Sequence, residues 1–126
     1  MNEDQSPAPY GEIVAKLEAV IADRVQRRPA NSYTMRLLEG GPSAIGAKLR
    51  EEAAELDLAL HGDPIATSDL VHEAADLFYH MLVALALAGV SWKAVEDELT
   101  GRFGTSGLVE KAGRGLDGLG RASGCE

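Results

Sequence analysis

Two carboxylate clusters, Glu51-Glu52-x-x-Glu55 and Glu73-x-x-Asp76, lie on two neighbouring stretches of helical periodicity, and they constrain the fold more than any other feature of the chain. Residues three and four apart share a helix face, so Glu52 and Glu55 project together, Glu51 stacks over Glu55, and Glu73 lies over Asp76. Each like-charge pair so placed costs a helix roughly 0.2–0.5 kcal/mol. Apposing the two clusters across a helix pair costs more unless a cation neutralises them. An all-oxygen donor set suits Mg²⁺, with Mn²⁺ as a substitute, rather than zinc. Taken alone, Glu-Glu-x-x-Glu is also what a solvated helix face looks like. The second cluster argues against that reading, because Glu73 and Asp76 head the apolar run Leu77–Leu85, where a charge is costly to bury without a partner.

The apolar periodicity predicts an all-α chain with no strand and no internal repeat. Ile13, Leu17, Val20, Ile21 and Val25 form one stripe of a first helix over about 10–26, which Arg27-Arg28-Pro29 breaks. Ser32 or Thr34 is placed to cap a short helix through Leu37-Leu38 that stops at Gly40-Gly41. Pro42-Ser43 then opens a longer helix over 43–61 carrying the first acid cluster, and Gly62-Asp63-Pro64 ends it. Ser68 or Asp69 is expected to cap the next helix, which runs to Ala88 with Gly89 as its stop; a last helix spans 91–102 behind Ser91. The helices over 43–61 and 68–88 should pack antiparallel. Leu77, Met81, Val83, Leu85 and Leu87 offer more apolar surface than so few helices can cover, which predicts a homodimer completing a four-helix bundle. Residues 1–9 read as a disordered lead, 10–103 as the helical domain, and 104–126 as a glycine-rich tail.

Composition narrows the function. One domain is expected of 126 residues, and a net charge of −8, from 20 acids against 12 bases, disfavours nucleic-acid backbone as a partner and favours a site that recruits cations. The single cysteine, Cys125, provides neither a disulfide framework nor a thiolate zinc site, and the N-terminal residues lack the pattern of a signal peptide; a cytoplasmic address is expected. The most apolar stretch, Leu77–Val90, is too short to span a membrane.

No phosphate loop, no Gly-x-Ser-x-Gly elbow and no Cys/His pair is present, so covalent catalysis is disfavoured and metal-activated water remains. Lys48, three residues before Glu51 and four before Glu52, shares their helical surface and is the best-placed of the basic residues Arg24, Arg36, Lys48 and Lys111 to neutralise phosphate. Tyr79 and His80 are read as core or helix-interface side chains, and His61 and His72 as helix-end residues rather than ligands.

Glu51, Glu52, Glu55, Glu73 and Asp76 match the signature of the all-α nucleoside triphosphate pyrophosphatases, the MazG-like superfamily. Within it the chain resembles the phosphoribosyl-ATP pyrophosphatases through Ser32-Tyr33-Thr34-Met35-Arg36-Leu37-Leu38, Lys48-Leu49-Arg50-Glu51-Glu52, the run Glu73–Val83 and Ser106-Gly107-Leu108-Val109-Glu110-Lys111-Ala112. Two departures are Arg50, where the family often has glycine, and His72, often acidic. The resemblance implies Mg²⁺-dependent hydrolysis of phosphoribosyl-ATP to phosphoribosyl-AMP and pyrophosphate, the second step of histidine biosynthesis. Glu52, Glu55, Glu73 and Asp76 are then the expected metal ligands, Glu51 the expected base, and Lys48 the phosphate-neutralising cation. By resemblance alone, Ser32, Tyr33, Thr34, Arg36 and Lys111 are assigned to substrate binding. Two alternatives stay open: a house-cleaning pyrophosphatase of nucleoside triphosphates with the same cage, and a non-catalytic acidic helical module.

Overall fold

Backbone punctuation divides the chain where glycine, proline and a capping serine stand. The computed structural model describes residues 11–103, so the expected lead, the glycine-rich tail and Lys111 lie outside the described residues. Four helices follow in order: α1 (Glu12–Arg27), α2 (Tyr33–Leu60), α3 (Thr67–Ala88) and α4 (Trp92–Thr100). Residues up to Trp92 form one compact unit, and a second begins at Lys93. In the second unit the exposed pairs Lys93–Asp97 and Glu98–Arg102 lie at (i, i+4) spacing, at 3.0 and 3.1 Å. Pairs of this kind support a helix by about 0.3–0.5 kcal/mol each.

Ser32 starts α2 by accepting the Met35 N–H on its hydroxyl at 3.2 Å, satisfying one donor that the first helical turn leaves free. The expected short and long helices over 33–61 meet at a kink at Gly41, whose backbone is non-helical, so α2 is two helices joined there. That residue takes φ 69 and ψ −162, a backbone region that only glycine enters without strain. α3 starts at Thr67, slightly ahead of the expected Ser68 or Asp69 cap, because Ala66 is already extended and serves as the N-cap without a side-chain bond. Asp69 instead contributes its negative charge to the first turn. Gly89 ends α3 in the left-handed conformation, with Val90 N–H donating to Leu85 O at 2.9 Å.

α2 and α3 make the most extensive packing, as an antiparallel hairpin, and α1 lies against both. The core gathers Ile21 of α1, Leu37 and Ile45 of α2, and Leu82 and Val83 of α3. Phe78 and Trp92 meet edge to face at 5.0 Å between ring centroids. The Trp92 N–H donates to Glu18 Oε2 on α1 at 2.7 Å. By length and composition α3 is apolar enough to cross a membrane, because it begins at Thr67 rather than at Leu77. Leu82 and Val83 enter the core, Val71, Met81 and Leu87 stay exposed, and its first half carries Glu73, which lines one depression with Glu55 of α2.

Candidate active site

The middle of α2 and the first half of α3 bring the acid clusters to one end of the hairpin. Carboxylate oxygens of Glu51, Glu52 and Glu55 lie within 4.8 Å of one another, as do ligand atoms of His72, Glu73 and Asp76. Glu55 and Glu73 belong to different helices but line one open depression of about 350 Å³ together with Leu58, Ala59 and Asp69. The charge of Glu52, above all, pushes the Glu55 carboxyl above its ordinary range, and partial burial, Glu73 and Glu51 add to the rise. Electrostatic repulsion therefore runs across the helix pair as well as along α2.

Glu52 is the central residue. It is only 5 % exposed, and its Oε1 is buried without a hydrogen-bond partner among the described residues. An unpaired buried carboxylate oxygen is costly. Lys48 offsets part of this cost: its ammonium lies 3.4 Å from Glu52 Oε2 and 3.2 Å from Glu51 Oε2. The hydrogen bond from Lys48 to Glu51, foremost, holds the ammonium above its ordinary range. A second positive charge beside Glu52 Oε1 would complete the compensation. Each helix offers its own donor group, and the carboxylate oxygens of the α2 group, one of them buried and unpartnered, fit a hard divalent cation.

The residues expected to bind substrate are placed as follows. Ser32 is occupied as the cap of α2. Thr34 is buried and hydrogen-bonds the Tyr79 hydroxyl. Tyr33 is half-exposed, and its hydroxyl lies 2.8 Å from His80 Nε2. Burial pushes the Tyr33 phenol up, Lys48 pulls it down, and Tyr79, Glu52 and Glu51 add to the rise, so this hydroxyl feels the charges of the first acid cluster. Arg36 is exposed one turn further along α2.

Four residues given no role in the site by the sequence reading lie against its candidate residues. Tyr79 and His80 are interface side chains as expected, but they form a polar latch to Thr34 and Tyr33. His72 Nε2 sits 3.3 Å from Asp76 Oδ2 and joins the second cluster. The (i, i+4) spacing of His72 and Asp76 was the available signal. Asp69 lines the depression one turn before Glu73.

The sequence profile of the phosphoribosyl-ATP pyrophosphohydrolases matches residues 14–103. The phosphoribosyl-ATP pyrophosphatase of Rhodopirellula baltica is 45% identical over 100 residues, covering 79% of this chain and 83% of the relative. That of Novosphingobium aromaticivorans is 44% identical over 106 residues, covering 83% of this chain and 96% of the relative. A histidine biosynthesis bifunctional protein, HisIE of Wolinella succinogenes, is 42% identical over 105 residues that make up 44% of its length. The matched span contains both acid clusters, Lys48 and the Tyr33–His80 latch, and with this breadth of identity the chain belongs to the phosphoribosyl-ATP pyrophosphohydrolase family.

Proposed function

We propose that this enzyme hydrolyses phosphoribosyl-ATP to phosphoribosyl-AMP and pyrophosphate, the second step of histidine biosynthesis, with Mg²⁺ held by Glu52, Glu55, Glu73 and Asp76. The observation that carries the reading is the buried, unpartnered Oε1 of Glu52 in the α2 acid cluster, whose Glu55 shares one depression with Glu73 of α3. Family membership supplies the substrate. Bound among these oxygens, Mg²⁺ would withdraw charge from the phosphates and acidify a water.

The chain's own residues perform the rest. Glu51 is exposed and outside the four-ligand set; its Oε2 accepts from Lys48, and its other oxygen takes a proton from the attacking water. Oxygen of that water bonds to the α-phosphorus, the bridge from the α-phosphorus to the β-phosphate oxygen breaks, and pyrophosphate leaves with the electron pair. Lys48, one side-chain swing from its carboxylate partners, neutralises phosphate charge. Tyr33 and Thr34 form the substrate end of the site, joined by Lys111 from the tail.

A further reading belongs here. Apolar side chains remain exposed on all three helices of the hairpin unit, among them Ile13 at 60%, Leu58 at 73% and Val71 at 62%. Apolar grooves of about 480 Å³ between α1 and α3 and about 420 Å³ between α2 and α3 add to this surface. They support a homodimer. Pyrophosphate release with phosphoribosyl-ATP, ATP and deoxynucleoside triphosphates, each with Mg²⁺ and with EDTA, tests the activity. Turnover of phosphoribosyl-ATP at least about a hundredfold above the others is expected; equal turnover of all would favour the house-cleaning alternative.

A further inference from the structure

His80 is buried, 6% exposed, and spends both ring nitrogens on neutral partners. Its Nδ1 lies 2.8 Å from the main-chain carbonyl of Asp76, one turn earlier on α3. A carbonyl only accepts, so Nδ1 carries a proton. Neither nitrogen meets a carboxylate among the described residues, and a neutral imidazole carries only one proton. Nε2 is then a lone pair, and the Tyr33 hydroxyl 2.8 Å away donates to it.

The consequence falls on Tyr33. Its one proton is committed to His80, and its oxygen has only lone pairs left for anything that approaches. The ring is held in place, edge-on to His80 at 5.9 Å and stacked with Tyr79 at 6.4 Å between centroids, yet it stays 46% exposed. An oxygen that only accepts cannot hydrogen-bond an ionised phosphate, which also only accepts. We propose that His80 is a positioning residue that makes Tyr33 a specificity-determining acceptor for an N–H or O–H donor of the substrate, on its purine or its ribose, and not for its phosphates. This rests on the substrate reading given above.

The tautomer is read first, without substrate. A two-bond ¹H–¹⁵N spectrum of the wild-type imidazoles should place the His80 proton on Nδ1 alone; a proton on Nε2, or on both nitrogens, overturns the proposal. Tyr33→Phe should then raise KM for phosphoribosyl-ATP about tenfold, with kcat within about twofold of wild type, as loss of one uniform binding contact does. Mn²⁺ affinity and inhibition by pyrophosphate, a probe of the phosphate subsite, should not move. Equal losses for substrate and pyrophosphate would put Tyr33 on the phosphates and overturn the idea, as would no change in either. His80→Leu and Tyr33→Phe should not be additive in KM, because one acts through the other; additive penalties count against positioning. If His80→Leu fails to fold, the wild-type spectrum and Tyr33→Phe still decide. With the 2′-deoxy form of the substrate, the Tyr33→Phe penalty should vanish if the ribose hydroxyl is the donor and persist if the purine is. Absence of wild-type turnover with phosphoribosyl-ATP would sink the substrate reading while leaving the tautomer result standing.

Discussion

The acids proposed to hold a cation repel one another without one, and Glu55 feels this most directly. Its carboxyl is pushed up by Glu52 first and by Glu73 across the helix pair, so Glu55→Gln should relieve repulsion in the metal-free state. In EDTA the variant is expected to melt above wild type, while pyrophosphate release falls by at least about a hundredfold because the amide no longer holds a hard cation. A melt below wild type in EDTA would contradict the cage. Lys48→Met should do the opposite, since it strips Glu52 of the ammonium 3.4 Å from its Oε2. A loss on the order of 2 kcal/mol in EDTA is expected, with most of it restored by Mg²⁺ in the same calorimetric scan. These residues were legible in the sequence because helical spacing alone puts them on shared faces. The latch was not: Tyr33 and His80 are 47 positions apart, Thr34 and Tyr79 are 45, and no local periodicity pairs them. The only hint lay in two polar side chains within an apolar run, which must find partners once buried.

Among the elements, α2 turns on a single residue, Gly41, where its two helical pieces meet. Nothing lies within 4 Å of a Cβ built on Gly41, so space does not limit substitution there; its φ of 69 does. Gly41→Ala should therefore destabilise by about 1–3 kcal/mol, a drop of several degrees in a thermal melt, while leaving the far-UV helical signal of the folded protein intact. An unchanged melting temperature would show that the break tolerates ordinary backbone. Gly40-Gly41-Pro42 was readable as a stop and a restart. Leu37 before the break and Ile45 after it both enter the core with Leu82 and Val83, a pairing that no local periodicity announces. The start of α3 was missed by a residue or two for a related reason: Ser68 and Asp69 have the chemistry of caps, but Ala66 has the extended backbone that the position requires.

For the whole molecule the open question is what covers the apolar surface left on the hairpin unit. Sedimentation equilibrium at micromolar concentration should give twice the mass of one chain, and a monomer would leave residues such as Leu58 and Val71 without a reason to be apolar. Family resemblance, not packing, also ties Lys111 to the substrate. Lys111→Ala should lower kcat/KM for phosphoribosyl-ATP by about ten- to a hundredfold with Mn²⁺ affinity unchanged. Intact kinetics after truncation before Ser106 would remove the tail from the site.

The hydrogen bond from the Trp92 N–H to Glu18 sets how this unit comes apart. The acceptor belongs to α1, and the amide lies 74 residues later in the chain. Protection of that amide against hydrogen exchange is therefore lent by the first helix, whose packing on the rest is far less extensive than that between α2 and α3. If α1 detaches as a cooperative unit, the Trp92 amide should exchange at the rate of the α1 amides rather than with those of the α2–α3 hairpin.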